Sequence, residues 1–308
     1  MAEAEVAEER SGFDLRGLIV LVASGFVLFF LIISFISSGP MGPAHRPACQ
    51  SNQHEIWMAI SVFEHRKQRY PGWRTTLADR QVGWPVQLMP ILGMNDQYTF
   101  WETKSGIPNT PGISLFVCPS DEQETKNGPW LSYGTNNGIA DKVVSGNLVE
   151  SKSNGLFFDH VVSDSNQTPL FISAAEVQKK DGLTQTLGLG ENRRLYNWSG
   201  YGSSGSTVRE YLTGFVWEDY STVPSSSWLK FPINQIDTQT GTALTTTATN
   251  ADAARISGPH GNVAIVTFAD GHSVFLSCEI DYSVYNKLCT PNGLSVNQLP
   301  LEPAEYMR

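Results

Sequence analysis

The chain has 308 residues, enough for one large domain or two small ones beyond a membrane segment. Apolar residues make up 41% and charged residues 17%, a balance that permits a buried core and argues against long disorder. With a formal net charge of -9 and basic clusters as short as His65-Arg66-Lys67, it lacks the positive field a nucleic-acid binder needs, so nucleic acid is excluded as a partner.

Residues 1–14 form a short acidic tail with Glu3, Glu5, Glu8 and Glu9. The run from Leu15 to Ser38 follows, and between Gly17 and Ile36 it carries no charge. About twenty residues at ~1.5 Å each cover roughly 30 Å, the depth of a bilayer's hydrocarbon core. A signal peptide would have a basic start and a shorter apolar core, and a helix buried in a soluble domain is rarely apolar all round. The reading is a retained transmembrane helix over 15–38, with the lipid bilayer as partner. Arg10 and Arg16 at its start place the N-terminus in the cytoplasm and the rest in the periplasm or at the cell surface.

Gly39 to Pro43 breaks the helix, and residues 39–48 read as a linker. From Cys49 to Arg69 there is neither Pro nor Gly, and Ile56, Ala59, Ile60 and Phe63 recur at helical spacing. This amphipathic helix ends at Tyr70-Pro71-Gly72. Val86 to Leu92 and Tyr98 to Trp101 are short apolar stretches, and Ile113 to Val117 is a better strand. Ser132 to Gly138 and Gly155 to Phe158 bracket loops, and Ala174 to Lys180 reads as a short helix. Thr184 to Gly190 and Phe215 to Trp217 read as strands, and residues 234–256 as a surface excursion. The fold class is α+β: a helix packed on an antiparallel sheet with long loops, forming one domain over 49–308.

The strongest local signal is a hairpin, Val263 to Cys278, turning at Asp270-Gly271. A two-residue turn would set Thr267 opposite Val274 and Ile265 opposite Leu276. Val263, Ile265, Thr267, Val274, Leu276 and Cys278 would then form the face that meets the helix. His260 and Asp270 would stand about 30 Å apart at opposite ends of the hairpin, too far to share a metal. Their expected roles are structural: Asp270 and Gly271 set the turn, and His260 holds the entering loop.

Four cysteines, Cys49, Cys118, Cys278 and Cys289, form no zinc-like spacing. In an oxidising compartment they allow three pairings, and the short loop favours Cys278–Cys289, with buried free thiols as the alternative.

Two resemblances follow from these residues. Ser11-Gly12-Phe13 before the apolar run resembles the start of type IV prepilins and type II secretion pseudopilins, which implies cleavage between Gly12 and Phe13. Gly17 stands where those proteins carry a glutamate, and the leader is acidic rather than basic. The rest resembles the DUF1559 family of planctomycete prepilin-like proteins. The matching features are His260, nine residues, then Asp270-Gly271; Cys49 and Asn52 with Tyr70-Pro71; Cys118 to Asp121; Tyr133 to Gly138; and Asp181, Gly182, Thr186 and Glu191. The resemblance implies an anchored pilin-like domain and no established activity.

No GxSxG, HExxH, Walker loop or dinucleotide fingerprint appears. The expected function is a membrane-anchored, pilin-like structural or assembly protein that is not an enzyme and needs no cofactor. Its partners would be other pilin-like subunits or cell-surface proteins. The alternative is a binding module for glycan or protein, using Trp198, Tyr201, Trp217 and Tyr220 in loops. Asp121 with Glu122, and Asp181 with Glu191, are the places where calcium would sit if it were bound.

Overall fold

The computed structural model describes residues 26, 45–103, 111–121, 128–139, 143–144, 147–148, 151–161, 168–193, 195, 198–199, 213–217, 233, 255–296, 298 and 301. The chain divides into two compact units, Met1–Pro40 and Met41–Arg308. Among the described residues no helix is long and apolar enough to cross a membrane. The Gly12-Phe13 step and, apart from Phe26, the Gly17 to Ile36 run lie outside them.

The second unit opens with helix α1, Arg46–Lys67. Pro47 sits in its first turn, where the missing N–H costs nothing, and His65, Arg66 and Lys67 close its last turn against the negative end of the helix dipole. Its buried side is Cys49, Gln53, Ile56, Trp57, Ala59 and Ile60. That stripe lies on a five-stranded sheet of order β7-β3-β6-β8-β9. The strands are β3 (Tyr133–Ile139), β6 (Leu187–Glu191), β7 (Gly214–Trp217), β8 (Val263–Phe268) and β9 (Ser273–Ser277). The sheet is α+β as expected but mixed rather than antiparallel, because β3 and β7 pair in parallel. A short hairpin of β1 (Arg74–Leu77) and β2 (Arg80–Gly83) follows α1, and β4 (Val143–Val144) pairs with β5 (Asn147–Leu148).

Three short apolar stretches differ from their sequence reading. Val86 to Leu92 begins inside helix α2 (Trp84–Leu88), Tyr98 to Trp101 lies in helix α3 (Asn95–Glu102), and Ile113 to Val117 holds a single 3-10 turn at Ser114–Phe116. Short apolar runs do not distinguish a strand from a buried helical turn, and neighbours decide. Here Phe116 turns inward onto the Trp84 ring, with centroids 5.9 Å apart. The helix at Ala174–Gln178, α4, is as expected and starts with a full capping box between Ser173 and Glu176.

Strand β6 decides which groups face α1. Its pairing with β8 slips between Leu187 and Leu189, so Gly188 is an extra residue on the β6 side. After this bulge Leu189 joins the α1-facing core, while Leu187 belongs to the opposite core with Phe215, Val266 and Phe268. A Cβ at Gly188 would overlap the ring of Trp57 on α1, which is buried and packed on Tyr70 at 6.0 Å. Gly188→Ala is therefore expected to destabilise the domain by about 1–3 kcal/mol through overpacking. Urea unfolding should show a lower midpoint with an unchanged slope, and a wild-type midpoint would mean that the bulge has room to adjust.

The hairpin of β8 and β9 is present with a different register. Ile265 faces Phe275 and Val266 faces Val274. The turn has three residues, Ala269-Asp270-Gly271, because the Phe268 N–H donates to the His272 carbonyl at 2.9 Å. Gly271 has φ 95°, the left-handed position that a three-residue hairpin turn reserves for glycine. One added turn residue flips β9 end for face: Leu276 and Val274 point away from α1, and Phe275 shares Ile265's side. Helix α1 still docks on β8 as expected. The buried Gln53 amide donates to the Ile265 carbonyl at 2.9 Å and accepts from the Thr267 hydroxyl at 3.0 Å. Helix α5 (Tyr282–Cys289) covers the opposite face through Tyr282, Tyr285 and Leu288.

Candidate functional site

The first turn of α1, the segment after the 3-10 turn, the end of β6 and the loop before β8 meet in one buried junction. Alternation along β6 turns Glu191 to the α1 side, and its Oε2 accepts the Ile265 N–H at 2.8 Å. The Glu191 Oε1 lies 3.0 Å from Nε2 of His260, and neither side chain has any exposed surface. The same imidazole nitrogen lies 3.6 Å from Sγ of Cys118. Cys118 is disulfide-bonded to Cys49 on α1, with the two Cα atoms 5.2 Å apart. One ligand-type atom from each of Cys49, Cys118, Glu191 and His260 lies within 4.8 Å of the others.

Groups around this junction hold its parts in place. Arg46 donates to the His260 carbonyl at 3.0 Å, and its guanidinium lies over the Phe275 ring at 5.6 Å. Asn52, one helical turn beyond Cys49, donates to the Val117 carbonyl and the Tyr133 hydroxyl, both at 3.3 Å. Asp121 accepts the Ser132 hydroxyl at 2.9 Å. A side chain at Gly258 would overlap Oε2 of Glu191, so the loop can pass only as glycine. Burial pushes the Glu191 carboxyl above its ordinary value and the nearby Asp121 adds to the rise, against the opposing pull of His260 and the Ile265 N–H.

Six residues of the expected signature set therefore converge: Cys49, Asn52, Cys118, Asp121, Glu191 and His260. The other four do not. Asp181 accepts the Gly293 N–H at 2.6 Å, and Gly182 leads into a 3-10 turn at Leu183–Gln185. Asp270 and Gly271 form the hairpin tip, where Asp270 accepts the His272 N–H at 3.0 Å. His260, expected to hold the loop entering β8 with no partner named, lies against Glu191. Pairing His260 only with an acid in its own hairpin misses a carboxylate 69 residues upstream. The shared motif set was the one signal that could have joined them.

The disulfide expectation is corrected. The bond joins Cys49 to Cys118, while Cys278 and Cys289 are free. Loop length favours the nearer pair only in an unstructured chain. In the fold, the α1 stripe delivers Cys49 to Cys118, whereas the Cys289 thiol is buried beside Tyr285 in α5. Of the four candidate binding aromatics, Trp198 and Trp217 are buried, with indole N–H groups donating to the carbonyls of Pro111 at 3.2 Å and Asn154 at 2.6 Å. Those two are core residues; Tyr201 and Tyr220 lie outside the described residues, as does Glu122. Asp181 and Glu191 sit in separate environments and form no joint calcium site.

No curated protein and no solved structure matches this chain. A family model described as a protein of unknown function (DUF1559) matches residues 44–283, a span that includes α1, the whole five-stranded sheet and all six junction residues. The chain belongs to the DUF1559 family.

Proposed function

We propose that this protein is a membrane-anchored structural or assembly subunit of pilin-like build. Gly17 to Ile36 would hold it in the bilayer, with the domain that begins at α1 outside. The observation that supports this reading is how the start of α1 is fastened. Any load carried by an anchor enters the domain at that first turn. There, Cys49 is covalently tied to Cys118 and Arg46 holds the His260 carbonyl, and one turn further on Asn52 holds the Val117 carbonyl. The ionisable groups at the junction are fully covered and serve the joint between helix and sheet rather than a substrate.

Fractionation of cells making the full chain tests the reading. The protein should stay with the membrane through alkaline carbonate washing, and deletion of residues 15–38 should release it. A full-length chain that remains monodisperse in detergent-free buffer would overturn the proposal. Mass spectrometry of the mature N-terminus separates its two forms: a chain starting at Phe13 enters the pilin processing route, and an intact Met1 marks a plain anchor.

A further inference from the structure

We infer that the Cys49–Cys118 junction is a redox-gated zinc site: oxidised it holds the disulfide, and reduced it binds one Zn2+ through Cys49, Cys118, His260 and Glu191. This goes beyond the proposed anchoring role and does not depend on it.

The geometry is that of a closed tetrahedral site. Zinc bonds of about 2.3 Å to sulfur and about 2.0–2.2 Å to nitrogen or oxygen place ligand atoms roughly 3.3–3.8 Å apart. Sγ of Cys118 and Nε2 of His260 are already 3.6 Å apart, and Nε2 and Oε1 of Glu191, at 3.0 Å, need open by only a few tenths of an ångström. All four residues are fully or almost fully buried, as a structural rather than catalytic zinc centre requires. The support is also in place. The Ile265 N–H holds Oε2 of Glu191 and leaves Oε1 against Nε2 of His260, the outer-shell arrangement that orients a ligating carboxylate. Two thiolates and a carboxylate carry three negative charges against two on the metal, and the Arg46 guanidinium at the His260 carbonyl offsets the remainder.

The exchange balances with a small dithiol as reductant. Two electrons and two protons pass from the dithiol to the Cys49–Cys118 bond, giving two thiols and a cyclic disulfide. Zinc then displaces three protons to solvent, one from each thiol and the one shared between Nε2 and Oε1, whose place it takes. The imidazole keeps its ring proton on Nδ1.

The test uses the full chain in detergent, stripped with a chelator, in oxidised and phosphine-reduced forms, titrated with Co2+ and then Zn2+. The reduced chain should take up one Co2+ with the visible bands of a tetrahedral thiolate complex, and Zn2+ should bleach them. The oxidised chain should show none. Glu191→Gln, which keeps the shape and a hydrogen bond to Ile265, should weaken binding by more than about tenfold, the low end of what losing even an outer-shell partner costs. The double variant C49S/C118S should abolish the bands while leaving Cys278 and Cys289 in place. If the reduced metal-free chain unfolds, refolding on zinc addition supports the site, and failure to refold counts against it. Absent bands in the reduced wild type, or equal binding by the oxidised chain or by Glu191→Gln, would overturn the inference.

Discussion

Reducing the Cys49–Cys118 disulfide in the presence of a chelator is expected to lower the domain's stability by about 4 kcal/mol, since the bond closes a loop with a sequence separation of 69. The cross-link restricts the unfolded chain far more than the folded one, and the effect grows with the logarithm of loop length. The bond also pins the first turn of α1, so its loss should loosen the helix start before the core beneath Trp57 and Ile60. Thermal unfolding of the oxidised and reduced chains measures the difference, with an expected fall of roughly 8–16 °C in melting temperature for a domain of this size. The free thiols of Cys278 and Cys289 are unchanged by the reductant and serve as internal controls. Coincident unfolding curves would show that the packing of α1 alone holds the junction.

The second large effect is expected from His260→Ala. This change leaves the Glu191 carboxylate buried with only the Ile265 N–H for support and with Asp121 nearby. Leaving a buried polar group without its partner costs about 1–3 kcal/mol, and more once that group is charged. The pH dependence identifies the cause. Burial raises the Glu191 carboxyl above 4.5 in the fold, so the folded chain keeps this proton where the unfolded chain has released it. Its contribution to stability is full below pH 4.5 and is lost as pH rises through the folded value. Without His260 the carboxyl rises further, so the penalty should be larger near pH ~8 than near pH ~5. Glu191→Gln, measured in the oxidised chain, should cost only about 1 kcal/mol and flatten the slope. An equal penalty for His260→Ala at both pH values would falsify the assignment of the effect to Glu191.

The parts of the architecture that depend on neighbours in the chain were legible in the sequence. The apolar stripe of α1 follows from 3.6-residue spacing, and the β8–β9 hairpin from two alternating runs around Asp-Gly. The short helix at Ala174 is read from its own stretch, and the Ser173–Glu176 capping box that starts it is local as well. Local backbone preference and side-chain periodicity decide such elements with little help from the rest of the chain. The hairpin also shows the limit of that reading, because one extra turn residue reversed the faces of β9 while leaving both strands in place.

The junction itself was beyond the reach of spacing. Cys49, Cys118, Glu191 and His260 are far apart along the chain and come together only through the docking of α1 on β8, the bulge at Gly188 and the close passage of Gly258. Nothing in the order of residues around Cys278 and Cys289 revealed that the fold would hold them as free thiols. By itself the sequence determined the family, the α+β class, the first helix and the hairpin, because these arise from local propensity and linear pattern. Which cysteines bond and which acid meets His260 were decided only in three dimensions, because contact between distant segments depends on strand register and helix docking, and no single stretch of chain encodes either.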